Sequence, residues 1–190
     1  MTTTRTILPY PRGVRTNTDA RACLPGPLVG SLRTRTERRE AALIETCRTI
    51  GTSPDRIFAV LADGWSYASW VVGAAHIRDV DGDWPAVGAR VHHRIGPWPL
   101  QIDDQTRVVA MEPDRVLELD AKLWPVGTAR VRMALEPIGP GTTRVRMGEV
   151  LDSGIGRLLP KAVQALLLRP RNAEALRRLD DLAVHREARR

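Results

Sequence analysis

The stretch 128-TARVRMALEPIGPGTTRVRMGEVL-151 decides the fold, because it holds two alternating strands separated by a short turn. Side chains along a strand point to opposite faces with a period of two. Val131 and Met133 therefore share one face of the first strand, and Val145 and Met147 share one face of the second. The breakers in IGPGT lie at hairpin distance. We predict an antiparallel pair of strands with one apolar face.

The same alternation recurs upstream, with Gly and Pro again marking the turns. Four segments precede the pair: AAHIRDV (74–80), ARVHHRI (89–95), LQIDDQTRVVAM (100–111) and VLELDAKL (116–123). Six consecutive strands joined by short turns predict an antiparallel meander. A further β-branched segment, ALIETCRTI (42–50), adds a first strand, which we expect at an edge.

Helical patterns stand on both sides of this meander. After the first strand, Ser53 is a suitable N-cap, Pro54 suits the first turn, and a shorter helical piece, GWSYASW, follows at 64–70. The C-terminal region has two apolar stripes, Val163–Leu166–Leu167 and Leu176–Leu179–Ala183. Between them, Pro170 predicts a kink or a break, and Asn172 could cap the second half.

This order of elements predicts an α+β fold. We expect a curved antiparallel sheet of six to seven strands wrapped around a long C-terminal helix, with two short helices after the first strand. Packing the helix across a curved sheet leaves a space between them.

The formal charge of +7 is unevenly distributed. Residues 1–40 are rich in Arg, Thr, Pro and Gly and carry +5, so we expect a disordered basic tail. A basic arm for acidic lipid or nucleic acid is the alternative. The folded domain is then 41–190, whose charge of +2 argues against nucleic-acid binding.

Several classes of protein are disfavoured. Two cysteines are too few for a disulfide framework, and no Cys/His cluster has zinc spacing, so we expect no metal site. No Gly-rich phosphate loop occurs in a suitable context, and we expect no cofactor. The sequence has no apolar run long enough for a membrane span and no apparent signal peptide, which predicts a cytoplasmic protein. Its oligomeric state is not predicted.

Five segments together resemble a known group of proteins: SPDRIFAVLADGWSYASWV, IRDVDGDWPAVGARVHHRIG, EPDRVLEL, GPGTTRVRMGEV and RNAEALRRL. Their order and spacing are similar to those of the START-like helix-grip superfamily (SRPBCC), in its polyketide cyclase/dehydrase and lipid-transport branch. The resemblance covers about three quarters of the chain. It implies a deep, mostly apolar cavity between the sheet and the last helix. Members bind lipids, polyketides or other hydrophobic molecules, and a minority are enzymes, so the fold alone does not assign a mechanism.

Glu149 is the first candidate for a functional residue, because it shares the apolar face of its strand with Met147. A bare carboxylate is costly to bury. Glu149 is therefore a polar anchor for a ligand, a general acid, or an acid that lies at the rim or pairs with an arginine. The apolar wall beside it is expected to consist of Leu117, Leu119, Met133 and Met147.

The other candidates come from neighbouring elements. His93 shares a face with Val91 and Ile95, which turns it inward, where it could orient a carbonyl or transfer a proton, or be a satisfied core residue. Trp70 is expected at the cavity mouth, and Val163 and Leu167 on the helix that covers the cavity.

Three functions follow. The first and favoured one is binding of a hydrophobic small molecule without catalysis. The second is a polyketide cyclase or dehydratase that uses Glu149 or His93 for proton transfer. The third is a partner-binding module that uses the tail or an exterior ladder of arginines, Arg130, Arg132, Arg144 and Arg146.

Overall fold

A computed structural model describes residues 43–95, 102–123, 127–154 and 158–185. The expected tail, 1–40, lies outside these residues. Seven strands form one sheet: β1 (Ile44–Ile50), β2 (Ala74–Val80), β3 (Arg90–Ile95), β4 (Ile102–Glu112), β5 (Val116–Leu123), β6 (Gly127–Gly139) and β7 (Thr142–Leu151). The helices are α1 (Pro54–Leu61), α2 (Tyr67–Trp70), which follows a 3-10 turn at Gly64–Ser66, and α3 (Lys161–His185).

The strand order is β1-β7-β6-β5-β4-β3-β2, and every neighbouring pair is antiparallel. Strands β2 to β7 therefore form the predicted meander, and β1 pairs with β7 at one edge. The two short helices lie in the connection between β1 and β2. The predicted α+β helix-grip fold is confirmed, with seven strands in the sheet.

One face of the sheet forms the core, as the alternation predicts. Met133 lies opposite Met147 in the β6–β7 register, and Leu117 lies opposite Met133 in the β5–β6 register. All three are buried, together with Val145 and Leu119. The opposite face of β5, β6 and β7 carries charged side chains, among them the predicted arginine ladder.

Helix α3 covers the core face, but its first half is rotated relative to the prediction. Leu176, Leu179 and Ala183 are buried as expected, whereas Val163, Leu166 and Leu167 are 39%, 74% and 60% exposed. Gln164 and Leu168 face inward in their place. The predicted stripe in the first half is thus wrong, because the apolar period of this segment does not mark its buried side, where Gln164 takes one of the positions.

The helix instead continues through Pro170, which lies on its exposed side. Asn172 is therefore not an N-cap; it is fully buried inside the helix. Arg48 of β1 donates a 2.7 Å hydrogen bond from Nε to Asp180 of α3 and so ties the helix to the edge strand. Within the described residues, no helix is long and apolar enough to cross a membrane.

Candidate functional site

A cavity of about 390 Å³ lies between the core face of the sheet and the first half of α3. Ten of the sixteen described residues that line it are apolar or glycine: Val71, Val72, Gly73, Ala74, Ile95, Ala121, Leu151, Leu159, Leu167 and Leu168. The other six are Tyr67, His93, Thr106, Lys122, Gln164 and Arg171. The volume falls within the range of small-molecule sites, about 300–1,000 Å³. This arrangement suits an apolar molecule that carries a few polar groups.

A connected set of neutral polar groups forms one wall of the cavity. The hydroxyl of Thr106 lies 2.9 Å from the hydroxyl of Tyr67 and 3.0 Å from Nε2 of His93. The rings of Tyr67 and His93 stack, with their centroids 5.3 Å apart. The alternation explains the convergence, because β3 and β4 are antiparallel neighbours and both side chains point to the core face.

Burial keeps both ionisable members of this wall uncharged. Desolvation lowers the pKa of His93 to about 4 and raises the pKa of Tyr67 to about 12. At neutral pH the wall therefore consists of an imidazole, a hydroxyl and a phenol. Nδ1 of His93 is buried without a hydrogen-bond partner among the described residues, which leaves one polar atom of this wall unsatisfied.

Arg171 of α3 lines another part of the cavity, and its charge is balanced by the buried carboxylate of Glu149. Its Nη1 donates to Oε1 and Oε2 of Glu149 at 3.0 and 3.1 Å, and its Nε donates to the carbonyl of Val72 at 3.1 Å. Glu149 is only 1% exposed, whereas the side chain of Arg171 is 27% exposed. Within the described residues the hydrogen bonds of Arg171 use Nη1 and Nε, which leaves Nη2 as a further donor.

Glu149 therefore lies behind the cavity rather than in its lining. Of the alternatives that the sequence left open, the structure contains the pair with an arginine. Sequence reasoning did not find Arg171, because it lies 22 positions away from Glu149 and directly after the proline that was expected to interrupt the helix.

The remaining predicted site residues fall into two groups. His93 and Leu167 line the cavity. Leu117, Leu119, Met133 and Met147 are in the core and are not among the lining residues, while Trp70 is 2% exposed and packs edge-on against Tyr67 at 5.5 Å. Val163 lies on the exposed side of α3 and is also outside the lining.

Tyr67, Thr106, Gln164 and Lys122 line the cavity and were not predicted. For Thr106 the signal was available, because it has the same phase on its strand as the core residue Val108. In the described part of the chain, no three His, Cys, Asp or Glu side chains are grouped so that they could hold a metal ion.

Solved structures with a similar fold include two aromatase/cyclases and a conserved protein. An aromatase/cyclase from a Streptomyces species, ZhuI, is 17% identical with a TM-score of 0.56, over 76% of this chain and 94% of that one. The di-domain aromatase/cyclase StfQ of the steffimycin pathway is 11% identical with a TM-score of 0.55, over 81% of this chain and 55% of that one. A conserved protein from Geobacillus kaustophilus is 10% identical with a TM-score of 0.58, over 74% of this chain and 93% of that one.

At these identities the likenesses concern the fold. Among curated proteins, no match was found. The model of the family described as polyketide cyclase / dehydrase and lipid transport matches residues 41–184. This match includes every described strand and almost all of α3. The chain therefore belongs to the polyketide cyclase / dehydrase and lipid transport family.

Proposed function

We propose that the protein binds a hydrophobic small molecule with at least one carbonyl or hydroxyl group in the cavity under α3. The observation that carries this proposal is the pairing of a mostly apolar lining with a few polar side chains that are not fully satisfied: Arg171, whose hydrogen bonds use Nη1 and Nε, and His93, whose Nδ1 lacks a partner among the described residues. An apolar pocket with a few placed polar groups is the general form of a small-molecule site.

The charges around the cavity further restrict the class of ligand that we expect. His93 and Tyr67 are uncharged at neutral pH, and burial strengthens this by lowering the pKa of His93 to about 4 and raising that of Tyr67 to about 12. The charge of Arg171 is matched by Glu149. Beside Arg171 a neutral oxygen is favoured over a free carboxylate, because a second anion there would meet the carboxylate of Glu149. A carbonyl oxygen would accept from Arg171, and a carbonyl or hydroxyl would satisfy His93.

A cyclase or dehydratase is the second candidate, and the hydrogen-bonded set His93–Thr106–Tyr67 favours it, since it could pass a proton to or from a bound substrate. The enzyme hypothesis is weakened by the low basicity of His93, because a pKa of about 4 makes this side chain a poor proton acceptor at neutral pH. Glu149 is less suited than His93, because its carboxylate lies outside the lining and faces Arg171. Binding therefore ranks first.

A partner-binding role through the arginine ladder gains no support from the described residues. Arg130 pairs with Asp120, Arg132 with Glu118, and Arg144 and Arg146 with Glu136. The ladder is thus internally neutralised to a large extent.

The test compares two adjacent leucines of α3. Leu167 lines the cavity and Leu166 does not, although both are exposed. We expect Leu167→Trp to weaken binding of the neutral fluorescent probe N-phenyl-1-naphthylamine at least about tenfold, because one indole occupies a large part of the space. Leu166→Trp should bind the probe like the wild type. Equal binding by both variants would contradict the proposed site.

A second measurement separates binding from catalysis. Protein purified under mild conditions is denatured, and the released small molecules are identified by mass spectrometry. If His93→Gln still releases the same molecule but no longer converts it, the enzyme hypothesis replaces simple binding. If it releases less of the molecule and the wild type leaves it unchanged, binding stands.

A further inference from the structure

A second concave site lies on the outer face of the sheet, on the other side from the cavity. It is a groove of about 360 Å³ whose charged lining consists of Arg90, Arg107, Lys122, Arg130, Asp120 and Asp152. Four of its side chains form one row across four strands. Arg90 of β3 lies opposite Arg107 of β4, Arg107 lies opposite Asp120 of β5, and Asp120 lies opposite Arg130 of β6.

The carboxylate in this row is already engaged by one arginine. Asp120 accepts from Nε and Nη2 of Arg130 at 2.9 and 3.1 Å, while Nη2 of Arg107 lies 3.6 Å away. The pKa of Arg130 is raised, chiefly by the hydrogen bonds to Asp120. Asp120 is therefore hydrogen-bonded mainly to Arg130, and Arg107 makes only a longer ion pair with it.

Two cations of the groove, Arg90 and Lys122, form no close ion pair within the described ranges, although Lys122 interacts at longer range with the carboxylate of Asp104. Arg90 stands directly across from Arg107, and like charges at opposite positions of neighbouring strands destabilise a sheet. Lys122 lies in the next row, opposite Thr128. Arg90, Arg107 and Lys122 thus outnumber the remaining carboxylate, that of Asp152.

We propose that this groove binds a phosphate group, which bridges Arg90 and Arg107 and is also contacted by Lys122. The planar guanidinium group of an arginine can donate two parallel hydrogen bonds to the oxygens of a phosphate. These hydrogen bonds are charge-assisted and therefore stronger than hydrogen bonds between neutral groups. The anion also removes the repulsion between the two opposed arginines. Gln105, which lines the same groove, supplies a further donor, whereas the hydroxyl of Thr128 is already hydrogen-bonded to Ser153.

Arg94 provides a matched control for Arg90. Both are exposed and lie on the same face of β3, but Arg94 donates to Asp103 at 3.1 Å and is not part of the groove. The probe is inorganic phosphate, which is too polar for the apolar cavity, so the result is independent of the function proposed above. Binding is followed by NMR shifts of backbone amides on β3 and β4, with sodium chloride at equal ionic strength as the reference.

We expect phosphate-specific shifts in the wild type, a loss of affinity of about tenfold or more in Arg90→Gln and Lys122→Gln, and wild-type affinity in Arg94→Gln. Shifts that sodium chloride reproduces at the same ionic strength would overturn the proposal. Wild-type affinity in Arg90→Gln, or an equal loss in Arg94→Gln, would overturn it as well.

The phosphate could be free or be the head of a larger molecule, and the structure suggests how to distinguish the two. Ala121 and Lys122 line both the groove and the cavity. Dodecyl phosphate that binds more tightly than inorganic phosphate, with the gain abolished by Leu167→Trp, supports the site and identifies an amphipathic molecule. Equal affinities with the same loss in Arg90→Gln support the site and identify free phosphate.

Discussion

Replacing Arg171 by Met should destabilise the protein far more than the same change at Arg130. Both arginines are paired with a carboxylate through short hydrogen bonds. The partner differs in burial, because Glu149 is 1% exposed whereas Asp120 is 29% exposed. Removing Arg171 leaves a charge in the core without compensation, and removing Arg130 leaves one that water can reach.

The expected magnitudes follow from this difference. Breaking a buried pair by removing one partner costs about 3–5 kcal/mol. Arg171→Met also deletes the hydrogen bond to the carbonyl of Val72, which adds about 1 kcal/mol. Arg130→Met should cost about 1 kcal/mol or less, as for a partly exposed pair. Glu149→Gln should cost less than Arg171→Met, because the 27% exposed arginine can be hydrated from the cavity.

Urea unfolding followed by tryptophan fluorescence measures these differences as shifts of the midpoint at constant slope. With a slope of about 2 kcal/mol per molar urea, Arg171→Met should lower the midpoint by about 2–3 M. The double variant Glu149→Leu/Arg171→Met should recover part of the loss. The reasoning is refuted if Arg171→Met and Arg130→Met have equal midpoints, or if Glu149→Gln is the more harmful change.

Three further outcomes are expected. The pKa of His93 is about 4 in the folded protein and about 6.5 in the unfolded chain. The neutral imidazole therefore contributes fully to stability above pH 6.5, and this contribution is lost as the pH falls toward 4. His93→Gln should make the free energy of unfolding less dependent on pH in that window, and an unchanged pH profile would contradict this. Asn172→Leu should raise the free energy of unfolding by about 1–2 kcal/mol, because both polar atoms of this buried side chain lack a partner in the described residues; a loss of stability in urea unfolding would count against it. Gly127→Ala should be strongly destabilising, because Gly127 has a φ of +134° and a Cβ there would lie 1.9 Å from the carbonyl oxygen of Ser153. Gly139→Ala on the same strand places its Cβ in open space and should be nearly neutral. Equal unfolding midpoints for the two variants would refute this.

The strands could be predicted from the sequence because each carries its own signal. Alternation gives the inward face, and Gly, Pro and Asp mark the turns, so the boundaries of β5 were predicted as they occur. The same local rule placed His93 and Glu149 on the core face. The phase of one strand does not depend on residues far away in the chain, so the inward face of a strand can be predicted from its own sequence.

The site could be predicted only in part, because it depends on how distant segments meet. Arg171 reaches Glu149 only if α3 continues through Pro170, and the local preference of proline argued for a kink or break. The same expectation turned Asn172 into a cap, whereas the placement of Val163 came from the apolar spacing of the first half. Tertiary packing overrode the local preference, since α3 packs along β1, α1 and α2 as one element.

The continuous helix has a functional consequence as well. A helix broken at Pro170 could change the position of its first half independently, and with it Leu167 and Leu168 on the cavity side. Because the helix continues, Leu168 in the first half and Arg171 just after the proline are three residues apart on one face. Arg171 is bound to β7 through Glu149 and to the segment after α2 through Val72. The ion pair therefore positions both the donor on the cavity wall and the apolar side chains beside it. Loss of Arg171 should consequently weaken the binding of even a wholly apolar probe, which a residue that acts only as a hydrogen-bond donor would not do.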